Sequence, residues 1–298
     1  MSATAPSAKS ERLIEKGEKI RIREHRLTQN LRLTSAANIV DFVHSKGLVS
    51  VLGGNELPSV ISAVLGKSWK PSSKGFTGWL DWWSFKIDGD RLAQVVAQIE
   101  RRDDILASRI FRRSKTFVSN RLWPIIGPIV DHHETMLKKE KQLSPLELKI
   151  LDNIRSERSI RTDRLRKVLE LEGKANSYRF HRSLSSLESH GLIVGAEDPN
   201  PDTHLHANIW QTWNQRTRSG KKGTRVSYPA MVAKLLERTI DSCIFVPEDA
   251  IRDMFEWRAD TETAKDQLLR EGTIVRAGKF LVHSRIGDRV LTPDLESY

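Results

Sequence analysis

The sequence predicts a mainly α-helical protein with small β-hairpins, an α+β chain built from helix-turn-helix modules in series. Three observations carry that expectation. Apolar residues recur at helical spacing behind recognisable helix starts, as Leu146, Ile150, Leu151 and Ile154 do after Ser144. Glycines stop these runs and β-prone stretches follow, as Leu192, Ile193 and Val194 follow Gly191. The same order then recurs further along the chain. At 298 residues there is room for about two or three domains with real cores.

Residues 1–30 read as a basic N-terminal arm: a small, polar start and then a charged helix from Glu11 to Gln29, docked or solvent-facing, because its apolar positions are sparse. Residues 31–143 read as an α+β domain resembling a winged helix. In it SAANIVDFVHSKG suits a short amphipathic helix stopped by Gly47, LVSVL suits a strand, and ELPSVISAVLG suits a helix with Pro58 in its first turn and Gly66 as its stop. A loop-like stretch, 67–86, holds Trp69, Trp79, Trp82 and Trp83, and Arg91 to Asp104 forms a helix. SRIF and TFVS then form a hairpin around Arg112, Arg113, Ser114 and Lys115.

The clearest pattern fills 144–225. Ser144 and Glu147 have capping-box spacing, and helices follow over Thr162 to Leu171 and about Asn176 to His190 before the strand at 192–194. Three helices and a β-hairpin in this order are a winged helix. Residues 226–298 repeat it, with helices over Pro229 to Thr239, Pro247 to Trp257 and Asp260 to Glu271, and a hairpin in TIVRAGKFLVH. The chain therefore reads as a tandem winged-helix protein.

Lys and Arg number 49 against 38 Asp and Glu, a net charge of +11, which favours an anionic partner. In the helix ending at His190, Tyr178, Arg179, Arg182 and Ser186 turn away from the core, with Lys174 at its start; these can donate to phosphates and bases. QRTRSGKKGTR adds Arg216, Arg218, Lys221, Lys222 and Arg225 around Gly220 and Gly223, and reads as a basic wing suited to a phosphate backbone. Arg112, Arg113 and Lys115 of the first hairpin are further phosphate candidates, and the tryptophans beside them could stack on an extruded base or simply cap a core. The corresponding helix of the last unit carries Asp260, Glu262, Asp266 and Glu271, which repel phosphate and suit packing, a homodimer or a protein partner.

Other classes lose weight. A lone cysteine, Cys243, excludes internal disulfides and thiolate-rich metal sites, and neither His132-His133-Glu134 nor His204-Leu-His206 has metal-site spacing, so no metal and no cofactor are expected. Phosphate-binding Gly-Lys-Ser/Thr loops and Gly-x-Ser-x-Gly elbows are missing. No apolar run suits a membrane span or a leader, so a cytoplasmic or nucleoid-associated protein is expected.

Leu57-Pro58-Ser59, the Trp-rich stretch through Trp83 to Lys86, and the basic hairpin Arg112 to Ser119, followed by the winged helix from Ser144, occur in an order that resembles the winged-helix family of bacterial DNA glycosylases that unhook interstrand crosslinks. The likeness is closer to relatives of that family, and it spans about 34–285. It implies tandem winged helices cradling double-stranded DNA around a central lesion. The family's active members use a Gln-x-Gln or Gln-x-Asp pair to position and activate water. This sequence has none in the matching stretch, and its nearest approach, Gln98-Ile99-Glu100, lies on a predicted helix. The leading expectation is thus a duplex-DNA binder in transcriptional control or genome maintenance. The alternatives are a metal-independent glycosylase for bulky or crosslinked bases and a protein-interaction scaffold.

Overall fold

The computed structural model describes residues 8–69, 84–198, 208–218 and 226–286. The chain opens with helix α1 (Ala8–Glu24) and continues through α2 (Ala36–Lys46), β1 (Leu48–Ser50), α3 (Val60–Leu65), a short ladder of β2 (Lys86–Ile87) and β3 (Asp90–Arg91), α4 (Leu92–Glu100), β4 (Ile105–Ser108) and β5 (Thr116–Ser119). A long helix, α5 (Trp123–Lys139), leads to α6 (Pro145–Glu157), β6 (Ile160–Arg161), α7 (Thr162–Val168), α8 (Ser177–Ser189), β7 (Ile193–Glu197), β8 (Asn208–Thr212) and α9 (Trp213–Thr217). The last stretch holds α10 (Tyr228–Cys243), β9 (Phe245–Pro247), a 3-10 helix (Glu248–Asp253), α11 (Arg258–Arg270), β10 (Ile274–Ala277) and β11 (Phe280–His283).

One arrangement occurs in each of three units: helix, strand, two helical segments, then two strands. The three-stranded sheets run β1-β5-β4, β6-β8-β7 and β9-β11-β10, so the last strand always lies between the other two, antiparallel to both. Local chemistry sets the boundaries. The Ser35 side chain accepts from the Asn38 amide to start α2, and Gly47 ends it at φ 79°. Ser144 and Glu147 form the expected reciprocal capping box on α6. Ser59 caps α3, which leaves Pro58 outside the helix rather than in its first turn. Gly66 ends α3 at φ 64°, where a β-carbon would lie 2.8 Å from the Thr28 carbonyl oxygen.

In the first sheet alternation decides the packing. Leu48, Leu106 and Val118 face a core shared with α5 and the other two units, whereas Val49, Ile105, Ala107 and Phe117 face the first unit's own helices. The sheet is buried on both faces, so its strands are buried along their whole length rather than at alternate residues. The arm is docked: Gly17 of α1 lies against Phe245, Arg21 stands 5.9 Å above that ring, and buried His25 places Nε2 3.0 Å from the Ser242 carbonyl oxygen.

Several expectations are corrected. The hairpin pairs Ile105–Ser108 with Thr116–Ser119, so its first arm ends at Ser108, where SRIF begins, and the turn carries buried Ile110 and Phe111. The hairpin of the middle unit is β7–β8, so the basic segment 215–225 follows it in the chain and is not its wing; its described part, 215–218, lies in and just after α9. The stretch from Pro247 to Trp257 forms a 3-10 helix over Glu248–Asp253 only. Helix α5 carries no prediction at all, yet it supplies Trp123, Ile126, Ile129 and Val130 to the shared core. No helix among the described residues is long and apolar enough to cross a membrane.

Candidate nucleic-acid interface

Helix α8 buries Phe180, Leu184 and Leu187 on one side. That periodicity turns Tyr178, Arg179, Arg182 and Ser185 to solvent, with Lys174 exposed in the turn before the helix. Lys174, Arg179 and Arg182 make no ion pair among the described residues, whereas Arg109, Arg112, Arg113, Arg155, Arg161, Arg216 and Arg276 each meet a carboxylate. Ser186 differs from them. It is half-buried and its hydroxyl bonds the Glu147 carboxylate, which helps hold that carboxyl below its usual range against the opposing effect of burial. The outward face of α8 is therefore a set of uncompensated cations around an exposed tyrosine.

The other basic elements are used internally. Lys115 pairs with Glu100, which is 2% exposed, and Arg109 Nε lies 3.1 Å from Glu188 of α8. Arg112 lies 2.9 Å from Glu56, and its guanidinium also donates to the Ala250 carbonyl at 3.0 Å. Arg113 reaches Glu256 at 2.6 Å, and that pairing holds Glu256 below its ordinary pKa. Arg112 and Arg113 sit at φ 46° and 54°, a turn from which Arg112 bridges Glu56 and Ala250 while Arg113 reaches Glu256. Phe111, just before them, meets Phe255 edge-on at 5.8 Å. The basic hairpin is thus a clasp between units, each of its cations engaged by a carboxylate. Arg216 behaves alike, donating to the carbonyls of Glu100 and Arg102 at 3.2 and 2.7 Å and approaching Asp103. Arg218 is exposed, while Lys221, Lys222 and Arg225 lie outside the described residues, as do Trp79, Trp82 and Trp83.

Gln98 and Glu100 do not form a pair. Gln98 faces solvent and Glu100 is buried against Lys115, as their spacing on a helix with Ile99 in the core requires. Burial, opposed mainly by Arg109 and Lys115, pushes the nearby Glu188 carboxyl up to about 7. On α11, Asp260 accepts from the Tyr228 hydroxyl at 2.6 Å and Glu262 pairs with Lys265 at 2.6 Å, so part of the acidity seen in the sequence serves the unit itself.

Two constellations escaped the sequence reading because their members are far apart in the chain. His44 lies between Ser119 Oγ at 2.9 Å and Asp104 at 3.1 Å. It has the composition of a hydrolytic triad, but Ser119 is fully buried and its hydroxyl accepts from the Arg121 amide, so it is a cap and not a nucleophile. The second is a cleft of about 400 Å³ between α1, the turn after β1 and the last sheet. Asn55, Glu56, Trp69, Phe245 and Phe280 line it. Asn55 donates to Ser114 Oγ at 3.0 Å and accepts from the Leu57 amide at 3.1 Å, so its amide is locked as a brace. Among the described residues no three His, Cys, Asp or Glu side chains stand together as metal ligands would.

No curated protein and no solved structure matches the chain. A family model described as AlkZ related matches residues 33–211, from the end of the arm segment through the hairpin of the middle unit. AlkZ, which gives the family its name, is a DNA glycosylase that unhooks crosslinks. The match covers more than half of the 298 residues, and the chain belongs to the AlkZ-related family.

Proposed function

We propose that the chain is a duplex-DNA-binding protein of DNA repair, built from winged-helix units in series, with α8 as the helix that enters the major groove. The observation that carries this reading is the outward face of α8, where Lys174, Arg179 and Arg182 stand exposed without acid partners. The recurring strand order supports the winged-helix assignment, with α8 as the third helix of its unit, the position of a recognition helix. Membership of the AlkZ-related family supports DNA as the ligand. Lys221, Lys222 and Arg225 are proposed as further phosphate contacts.

Fluorescence anisotropy of labelled duplex across several salt concentrations tests this. Each phosphate contact contributes roughly 0.9 to the slope of log K against log salt, so Lys174→Ala/Arg179→Ala/Arg182→Ala flattens the slope by roughly 2–3 and Lys221→Ala/Lys222→Ala by roughly 2. Arg182→Ala alone costs about 1–3 kcal/mol at a preferred site, if it contacts a base there. A flat wild-type slope with weak binding would sink the reading and point to a protein-binding scaffold.

A second reading, base excision, is favoured by the cleft beside β1, whose aromatic walls suit a nucleobase and which adjoins the Leu57-Pro58-Ser59 segment. Glu56 is its best water-activating group, though it is paired with Arg112. Release of a bulky or crosslinked base, lost in Glu56→Gln, is the outcome this reading requires.

A further inference from the structure

We propose that Tyr178 is a stacking residue that enters a break in the base stack, so that the protein favours duplex with an unstacked position over intact duplex. The proposal rests on the α8 reading above and specifies what that helix recognises. Tyr178 is 76% exposed, against about half for Val168 and Val226, the other large apolar side chains left open to solvent among the described residues. A tyrosine in a folded protein ordinarily buries its ring and bonds its hydroxyl. Here neither occurs: among the described residues no ring or hydrogen-bond partner meets it, whereas Phe180 two positions on is fully buried.

Its position supplies the ligand chemistry. Tyr178 lies in the first turn of α8, the end that leads into a groove, among Lys174, Arg179 and Arg182. Phosphates held by those cations would bring a base step to the ring. The turn ahead of it runs through Glu170 at φ 55° and Gly173 at φ 90°, which reverse the chain and present the helix end.

Magnitudes decide between intact and interrupted DNA. An aromatic ring stacked on a base contributes about 1–3 kcal/mol. Opening an intact step costs a few kcal/mol, which cancels that gain. Where a base is missing the opening is already made, and the gain appears as a preference of roughly tenfold.

The test compares anisotropy of an intact duplex with one carrying a single abasic-site analogue flanked by 2-aminopurine, for wild type, Tyr178→Phe and Tyr178→Ala. Expected are a roughly tenfold preference for the abasic duplex and quenched 2-aminopurine in wild type and Tyr178→Phe. Tyr178→Ala should lose both, binding the two duplexes with equal affinity. Equal affinity of wild type for the two duplexes, or a preference that survives in Tyr178→Ala, would overturn the proposal and leave the α8 reading standing. Loss in Tyr178→Phe assigns the contact to the hydroxyl and overturns stacking. Wild type that binds neither duplex overturns the α8 reading and this proposal together.

Discussion

A cation's chemistry is decided by what it meets, and Arg112 and Arg182 show the difference. In sequence both are arginines in basic neighbourhoods. In the fold Arg112 is held by Glu56 and the Ala250 carbonyl, residues remote from it along the chain, while Arg182 meets no carboxylate among the described residues. Their alanine variants should therefore fail in opposite ways. Arg112→Ala leaves a half-buried carboxylate and a carbonyl without their donor, an expected loss of about 1–3 kcal/mol seen as a lower urea midpoint, with duplex affinity of the folded protein unchanged. Arg182→Ala should weaken duplex binding and leave the midpoint where it was. Normal stability with lost DNA binding in Arg112→Ala would return the hairpin to the DNA interface. This difference was not legible in the sequence, because the deciding acids are brought in by tertiary structure.

Elements were legible where local chemistry determines them. The Ser35 and Ser144 caps and the Gly47 and Gly191 stops fix helix ends whatever the rest of the chain does, and α2, α6 and α8 fall within a few residues of their predicted spans. Ser144→Ala should accordingly cost about 1 kcal/mol of unfolding free energy, and Ser144→Asp should restore most of it; equal stability of all three would mean that the cap contributes nothing. Elements were missed where a local signal misleads. Pro124 and Pro128 argue against a helix, yet Pro124 lies in the first turn of α5, where its missing amide costs little, and Pro128 is tolerated inside the helix while Ile126, Ile129 and Val130 are buried. The basic stretch 215–225 looked like a wing because glycine and lysine mark loops. The hairpin it was assigned to closes earlier, at Thr212, where threonine turns the strand into α9 through its own capping box. Of the candidate interface, the α8 face could be read by periodicity alone, whereas the cleft beside β1 draws its walls from α1, the first unit and the last, which no local pattern joins.

At the scale of the molecule the three units are held by joints that contain buried titratable groups, and this couples cohesion to pH. His25 fastens the region after α1 to Ser242, and burial pushes its pKa down to about 3. His133 of α5 lies 2.8 Å from His190 and edge-on to Trp257, and burial lowers it to about 4 against the opposing pull of Asp260 and Glu256. Both are neutral in the fold and would protonate near 6.5 once unfolded, so acid favours the unfolded chain and stability falls as pH drops below about 6.5. Glu188 works the other way. Raised to about 7, it holds its proton in the fold over a range where the unfolded carboxyl has lost it, so stability grows as pH falls from about 7 toward 4.5. Across pH 6.5 to 4.5 the two histidines lose more than the carboxyl gains, by about 2 kcal/mol, and His190, which burial also lowers, adds to the loss. Glu188→Gln removes the opposing group, so the variant should exceed wild type in stability at pH 8 and lose about 5 kcal/mol over the same acid interval. Urea unfolding at half-unit steps from pH 8 to 4.5 checks both curves. Parallel curves for the two proteins would mean that Glu188 is ionised in the fold and that the joint between the first two units is an ordinary ion pair with Arg109.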